Sequence, residues 1–219
     1  GWKRVSSVGT HPSNDHRFFD FFINSAGNEV YIWGVQLEEN VPFLSSYIHV
    51  PPGHTSHTRG ADFAKIDGQE FTDFYSPAES TTIMIGQRLG NQPDGRAYSI
   101  SDGSNDNRID WDFNDDVHVR FSVSSGGTTV TTMQQSNVPD INDEFRIAAA
   151  VKLNDQIGVL NGTEISSADT SCAQPVDMDR LYLGLRGTDG NQGALTIKRF
   201  IYYPKRLPNS QLLKLTKKI

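Results

Sequence analysis

The chain has 219 residues, of which 36% are hydrophobic and 21% charged, and its formal net charge at pH 7 is −6. That length permits one large domain, or one domain with a fragment of another. The negative charge argues against nucleic acid as the main partner, and no apolar run approaches the ~20 residues of a membrane span, so no membrane insertion is expected. The single cysteine excludes an internal disulfide.

The first forty residues have the alternation of β-strands. We predict strands at 1–10, 16–24 and 29–39, where aromatic and β-branched residues are frequent. Three strands are too few to form a stable sandwich alone. We therefore interpret 1–40 as the last strands of an upstream β-module and 41–219 as the main domain.

The main domain is a series of short apolar runs separated by turn residues such as Asn-Gly, Asp-Gly and Gly-Gly. The predicted strands are 61–66, 81–89, 96–101, 107–113, 117–124, 128–135, 145–153, 156–162, 179–187 and a terminal strand. About a dozen short strands at hairpin spacing, with helix only at the end, indicate an all-β sandwich or barrel.

The closing segment, LTIKRFIYYPKRLPNSQLLKLT at 195–216, has the clearest pattern in the chain. Its first half predicts a half-buried strand with one face formed by the odd-numbered positions Leu195, Ile197, Arg199, Ile201 and Tyr203. Pro204 ends that strand because proline lacks a backbone donor. Asn209 is the predicted N-cap of a helix at 209–217, which we expect to lie against one edge of the sandwich.

Two segments resemble a known family. IKRFIYYPKRLPNSQLLKLT resembles the closing segment of concanavalin A-like (laminin G-like) sandwich domains in bacteriophage tail proteins. YIWGVQLEENVPFLSSYIHV at 31–50, with TRGADF at 58–63, resembles the junction before such domains in phage fibres and tailspikes. The resemblance implies a concanavalin A-like antiparallel β-sandwich with a short C-terminal helix, carried on a virion tail and acting outside the cell. It also implies a homotrimer, contacts with other virion tail proteins, and non-catalytic attachment to host-surface polysaccharide.

The resemblance supplies no site residues, so the candidates come from loop chemistry. Loops 90–95, 101–107 and 188–193 are rich in Asn, Asp, Gln and Gly, which reach sugar hydroxyls without large side chains. The predicted carbohydrate-binding residues are Asp102, Asn105, Asn107, Asp189 and Asn191, with Tyr98 as a stacking platform. Asp102 and Asp106 are also hard oxygen donors suited to Ca²⁺, although the same residue types favour turns.

Two alternatives remain open. Asp110 and Asp112 are predicted to share one face of a strand, with Asp115 just beyond. Glycoside hydrolases use a pair of carboxyl groups as their catalytic residues, so these aspartates could form the active site of a glycan-cleaving enzyme. The simpler interpretation of that face, which we favour, is a solvated acidic surface opposite a buried one. The second alternative is a structural module that folds or trimerises a fibre without touching a receptor.

Overall fold

The chain divides into two compact units, Gly1–Arg59 and Gly60–Ile219. A computed structural model describes residues 31, 49–50, 52, 62–90, 92, 94–113, 117–187 and 192–218. The strands predicted at 1–40 and the predicted boundary after residue 40 lie outside the described residues, apart from Tyr31, and stay predictions. The architecture that follows belongs to the second unit.

The described part of the second unit is built from strands with two short helices. In chain order these are β1 (Ala64–Asp67), α1 (Gly68–Thr72), β2 (Glu79–Arg88), β3 (Gly95–Ser101), β4 (Arg108–Phe113), β5 (Val119–Ser125), β6 (Thr128–Gln135), β7 (Glu144–Lys152), β8 (Asp155–Leu160), β9 (Thr163–Glu164), β10 (Arg180–Leu183), β11 (Leu195–Tyr203) and α2 (Asn209–Thr216). None of the helices in the described ranges is long and apolar enough to cross a membrane.

The strands form two antiparallel sheets. Sheet A has the order β1-β10-β3-β4-β5-β6, and sheet B has the order β11-β2-β7-β8-β9. All the strand pairs within them are antiparallel. The predicted all-β class and the antiparallel sandwich with a short C-terminal helix are therefore confirmed.

The core lies between the sheets because alternate residues of each strand point inward. Sheet A contributes large apolar side chains with almost no exposure, among them Tyr98, Ile100, Ile109, Trp111 and Phe121. Sheet B contributes their partners, among them Met84, Phe145 and Ile147. Since inward positions of β4 are all apolar, its intervening residues must point out of sheet A.

The closing strand does not keep the single alternation predicted for it. The register of β11 against β2 shifts between Ile197 and Arg199, which marks a bulge. A bulge adds one residue to a strand and so reverses the sides of everything beyond it. Leu195 and Ile197 therefore pack on the inter-sheet core together with Phe200, while Ile201 packs on the opposite side of sheet B. The five odd-numbered residues do not share a face.

Three further expectations about helices are corrected. The terminal helix α2 does not lie against an edge but packs Leu212, fully buried, on an outer-face cluster of sheet B with Ile83 and Ile157. Its N-cap is Pro208, and Asn209 is its first residue, whose side-chain amide instead bonds the Glu164 carboxylate. Helix α1 was not predicted, because its five residues are too short for a periodic signal.

Candidate functional site

The outer face of sheet A carries an unusual concentration of paired charges. We call the charged face the group of outward residues on β3, β4 and β5 plus one arginine that follows β10: Arg96, Ser99, Arg108, Asp110, Asp112, Arg120 and Arg186. Strand register places Tyr182, Ser99, Asp110 and Ser122 opposite one another in a line across four strands. These residues come from distant parts of the sequence, and only the sheet brings them together.

Asp110 is the first anchor of the charged face. Arg108 Nε donates to its Oδ2 at 2.8 Å, and Arg186 Nη1 donates to the same oxygen at 3.4 Å. The Asp110 side chain is only 1% exposed, and its Oδ1 is buried without a hydrogen-bond partner. A buried carboxylate oxygen without a partner costs free energy.

Asp112 is the second anchor. Its Oδ2 accepts hydrogen bonds from Arg120 Nε at 3.2 Å and Nη2 at 3.1 Å, and forms an ion pair with Arg96 Nη1 at 2.8 Å. Arg120 Nη2 also lies 3.5 Å from Asp94 Oδ1. The Asp112 side chain is fully buried, and its Oδ1, like that of Asp110, has no hydrogen-bond partner.

Burial decides the protonation behaviour of Asp112. Loss of solvation raises the pKa of its carboxyl to about 6, even though Arg96 and Arg120 act in the opposite direction. The negative charge of Asp110 adds a smaller upward contribution to this pKa. Ionised Asp112 is therefore a strained group whose charge the surrounding arginines only partly stabilise.

The predicted arrangement of β4 is confirmed, but its predicted surroundings are wrong. Asp110 and Asp112 share one face, while Ile109, Trp111 and Phe113 enter the core. The acidic face is not solvated, because arginines from neighbouring strands cover both carboxylates. Each carboxylate is engaged with guanidinium groups, which is the arrangement of a structural ion pair rather than of a free acid and nucleophile. Asp115 lies outside the described residues.

The loop at 101–107 is folded around its own acidic residue. Asp102 Oδ1 accepts from Ser104 N at 2.8 Å and Ser104 Oγ at 2.7 Å, and Oδ2 accepts from Asn107 Nδ2 at 2.9 Å. Burial alone would raise the pKa of Asp102, but these bonds hold it below its usual value. Asn107 Oδ1 accepts from Gly126 N at 3.0 Å. Asp102 and Asn107 therefore shape this turn.

Calcium binding stays a prediction. The carbonyl oxygen of Asp106 accepts from Gly127 N at 3.1 Å, and its amide donates to Ser104 Oγ at 3.0 Å. Across the described ranges, the structure brings no three His, Cys, Asp or Glu side chains into a group fit for a metal ion. The Asp102 carboxylate already accepts three hydrogen bonds from the loop. The described oxygen atoms of this loop therefore do not by themselves form a calcium site.

The described residues of the predicted sugar-binding loops lie toward both ends of β3. Loop 101–107 leaves the end of β3, whereas Gln192, at the described end of loop 188–193, bridges to Arg96 near the start of β3. Five residue steps separate those two ends, or roughly 17 Å. Asp189 and Asn191 lie outside the described residues. The cluster proposed with Asp189 and Asn191 therefore stays a prediction.

Tyr98 is not a stacking platform. Its ring is fully buried and packs edge-on against Phe200 at 5.3 Å between centroids, inside the core. Its hydroxyl lies 2.5 Å from Thr82 Oγ1, and burial raises the pKa of that hydroxyl above its usual value. The bulge between Arg96 and Tyr98 changes which β3 residues point inward, and sequence spacing did not reveal it.

Sequence reasoning missed the arginines of the charged face. Arg96, Arg120 and Arg186 lie on β3, on β5 and after β10. The one available signal was an arginine within or beside each of three otherwise apolar strand patterns. Pairing those arginines with the β4 carboxylates required the strand order, which the sequence does not state.

Comparisons with known proteins give a match in structure but not in sequence. No protein-family model and no curated protein matches the chain. A Ruminococcus gnavus IT-sialidase CBM40 bound to α2,3-sialyllactose is similar at TM-score 0.55 and 15% identity, covering 65% of this chain and 84% of its own. The NanB sialidase of Streptococcus pneumoniae, as a K499G mutant, is similar at TM-score 0.58 and 13% identity over 70% of this chain and 27% of its own. A leech intramolecular trans-sialidase matches at TM-score 0.55 and 13% identity, covering 69% of this chain and 27% of its own.

These similarities concern the fold. They agree with a β-sandwich of two antiparallel sheets, consistent with the concanavalin A-like architecture. The two sialidases are matched over about a quarter of their length. At such low identity, the activity of those enzymes does not transfer to this chain.

Proposed function

We propose that residues 60–219 form a non-catalytic carbohydrate-binding domain and that an acidic glycan lies on the charged face. The observation that carries the proposal is a pair of buried carboxylates, Asp110 and Asp112, that hold guanidinium groups on the outside of a sheet. Side chains fixed in this way form a preorganised set of donors, which lowers the entropic cost of binding a ligand.

The chemistry of the donors indicates an anionic ligand. Arg108 and Arg120 retain 18% and 25% exposure. Arg120 uses Nε and Nη2 toward Asp112, whereas Arg108 uses Nε toward Asp110 and Nη1 toward the carbonyl oxygen of Asn105. Further N–H groups of both guanidiniums are therefore available for a planar acceptor such as a sugar carboxylate.

The structural comparisons support the same class of ligand. One similar structure, the Ruminococcus gnavus CBM40, is described as bound to sialyllactose, an acidic oligosaccharide. The absence of a free carboxylate pair on β4 supports binding without cleavage, since hydrolysis requires an acid and a nucleophile or base.

We further propose that this domain serves a phage tail fibre or tailspike in attachment to host-surface polysaccharide. The support is the sequence resemblance of 197–216, 31–50 and 58–63 to phage tail proteins. In that setting the protein is a homotrimer that contacts other virion tail proteins and acts outside the cell. Three copies give avidity to a weak individual site without any new contact.

A binding experiment with matched variants tests the proposal. The full chain is applied to an array of sialylated, other acidic and neutral glycans, and hits are quantified by calorimetry. Arg120→Ala is expected to lower affinity for the acidic hit at least tenfold, whereas Arg199→Ala removes the same charge from an exposed position on β11 and should change little. Thermal melts establish that both variants fold. Equal affinity of Arg120→Ala and the parent, or no glycan bound by the parent, contradicts the proposal.

One observation favours a structural module as a second candidate. Strand β6 is an edge of sheet A, has eight residues and no charged side chain. Uncharged edge strands present backbone groups to other chains. A chain that binds no glycan but associates through this edge would fit the second candidate, and substitution of Thr132 by Lys should then dissociate it.

A further inference from the structure

An aromatic side chain stands beside the charged face. Phe63 is 64% exposed, although it is a large apolar residue two positions before Lys65 on the same side of the chain. Lys65 pairs with Tyr182 across β1 and β10, and Tyr182 pairs with Ser99 on β3. Phe63 therefore borders the same outer surface of sheet A that carries the two aspartates.

The Phe63 ring is held in place despite its exposure. It meets the Tyr182 ring edge-to-face at 5.8 Å between centroids and 73°, and Lys65 Nζ lies 6.0 Å from its centroid. Gln192 Nε2 donates to the carbonyl oxygen of Asp62 at 2.5 Å, which fixes the backbone just before the ring. A ring with this support is preorganised rather than loosely placed.

Tyr182 supports Phe63 from below and is itself enclosed. Only 6% of Tyr182 is exposed, and a Cβ at position 187 would lie 2.4 Å from the Tyr182 Cζ and hydroxyl oxygen. A side chain at position 187 would have to displace the Tyr182 ring, because the chain passes closely over it. The backbone and Tyr182 together position the exposed ring.

From these contacts we propose that Phe63 is a stacking subsite that binds a sugar ring of an oligosaccharide whose acidic residue occupies the charged face. This inference rests on the proposed function and specifies the length of its ligand. Sugars present apolar C–H faces that pack on aromatic rings.

Strand spacing sets the minimum length of the ligand. From β1, which Phe63 precedes, to β4, which carries Asp110 and Asp112, there are three strand intervals. At about 4.8 Å each, they span roughly 14 Å, which exceeds one pyranose ring. A monosaccharide can therefore occupy only one of the two subsites, while an oligosaccharide that crosses the strands occupies both.

The test compares ligand lengths and two aromatic variants. Phe63→Ala is expected to weaken binding of sialyllactose or a longer acidic oligosaccharide about tenfold, which is about 1.4 kcal/mol, and to leave binding of the acidic monosaccharide unchanged. Phe63→Tyr should restore oligosaccharide affinity. Leu153→Ala, at a residue 59% exposed on another part of the surface, is the matched control and should have no effect.

The outcomes separate this inference from the proposed function. If Arg120→Ala abolishes binding but Phe63→Ala does not alter the affinity for any ligand length, the stacking subsite is refuted and the charged face stands. If both ligand lengths weaken equally, Phe63 does not form a distinct subsite. A change of oligomeric state in Phe63→Ala, measured by light scattering, with unchanged sugar affinity would assign the ring to a contact between chains. Absence of any glycan binding by the parent chain overturns both proposals.

Discussion

The titration of Asp112 is a direct test of the electrostatics of the charged face. Its carboxyl is buried, and its pKa is raised to about 6, above the ordinary value of 3.8. A raised pKa means that the folded protein binds the proton more tightly than the unfolded chain does. Asp112 therefore contributes stability that is fully present below pH 3.8 and is lost as the pH rises through about 6.

The raised pKa of Asp112 determines how much the unfolding free energy changes with pH. A difference of roughly 2 pKa units corresponds to about 3 kcal/mol, since one unit is 1.36 kcal/mol. We expect Asp112→Asn, which cannot ionise, to lack this part of the pH dependence. Relative to the variant, the parent should lose about 3 kcal/mol of unfolding free energy between about pH 2 and pH 7.

Urea denaturation at half-unit pH intervals measures the difference. Asp140→Asn, at an exposed position, is the matched control for removing one carboxylate. Other titrating groups are common to the parent and to Asp112→Asn and cancel in the difference curve. A flat difference curve, or one that slopes the other way, would show that Arg96 and Arg120 outweigh burial and hold Asp112 ionised. The account of a strained charge would then be wrong.

The remaining predictions concern packing and the calcium loop. Leu212→Ala should lower the unfolding free energy by about 2–5 kcal/mol in thermal or urea melts because the side chain is fully buried, whereas Leu215→Ala, 41% exposed, should have little effect; equal losses would contradict the packing of α2. Gly86→Ala should cost about 1–3 kcal/mol in the same melts, since a Cβ there would lie 2.6 Å from a phenylalanine ring carbon and 2.7 Å from a β11 carbonyl oxygen; parent-like stability would refute this close approach. If Asp102 and Asp106 bind Ca²⁺, EDTA should weaken glycan binding in calorimetry and added Ca²⁺ should restore it, while unchanged binding would leave both residues with a role in the turn alone.

Local chemistry in the sequence determined the class of fold. Alternating apolar residues between turn signals predicted most strands of the second unit, and the opposite faces of Asp112 and Trp111 on β4 followed from the two-residue period of a strand. The terminal strand and helix were also visible, because proline and a leucine-rich run mark them locally. These features depend on residues close together in the chain, so one sequence is enough to indicate them.

The tertiary structure decided what those elements place together. The bulges in β3 and β11 buried Tyr98 and divided the closing strand between two faces, and a bulge has no reliable signature in one sequence. Strand order brought Arg96 and Arg120 onto Asp112 and placed Phe63 at the border of the same surface. Strand pairing between distant parts of the chain determines which charged side chains come into contact and which become buried. The candidate site is formed by these contacts.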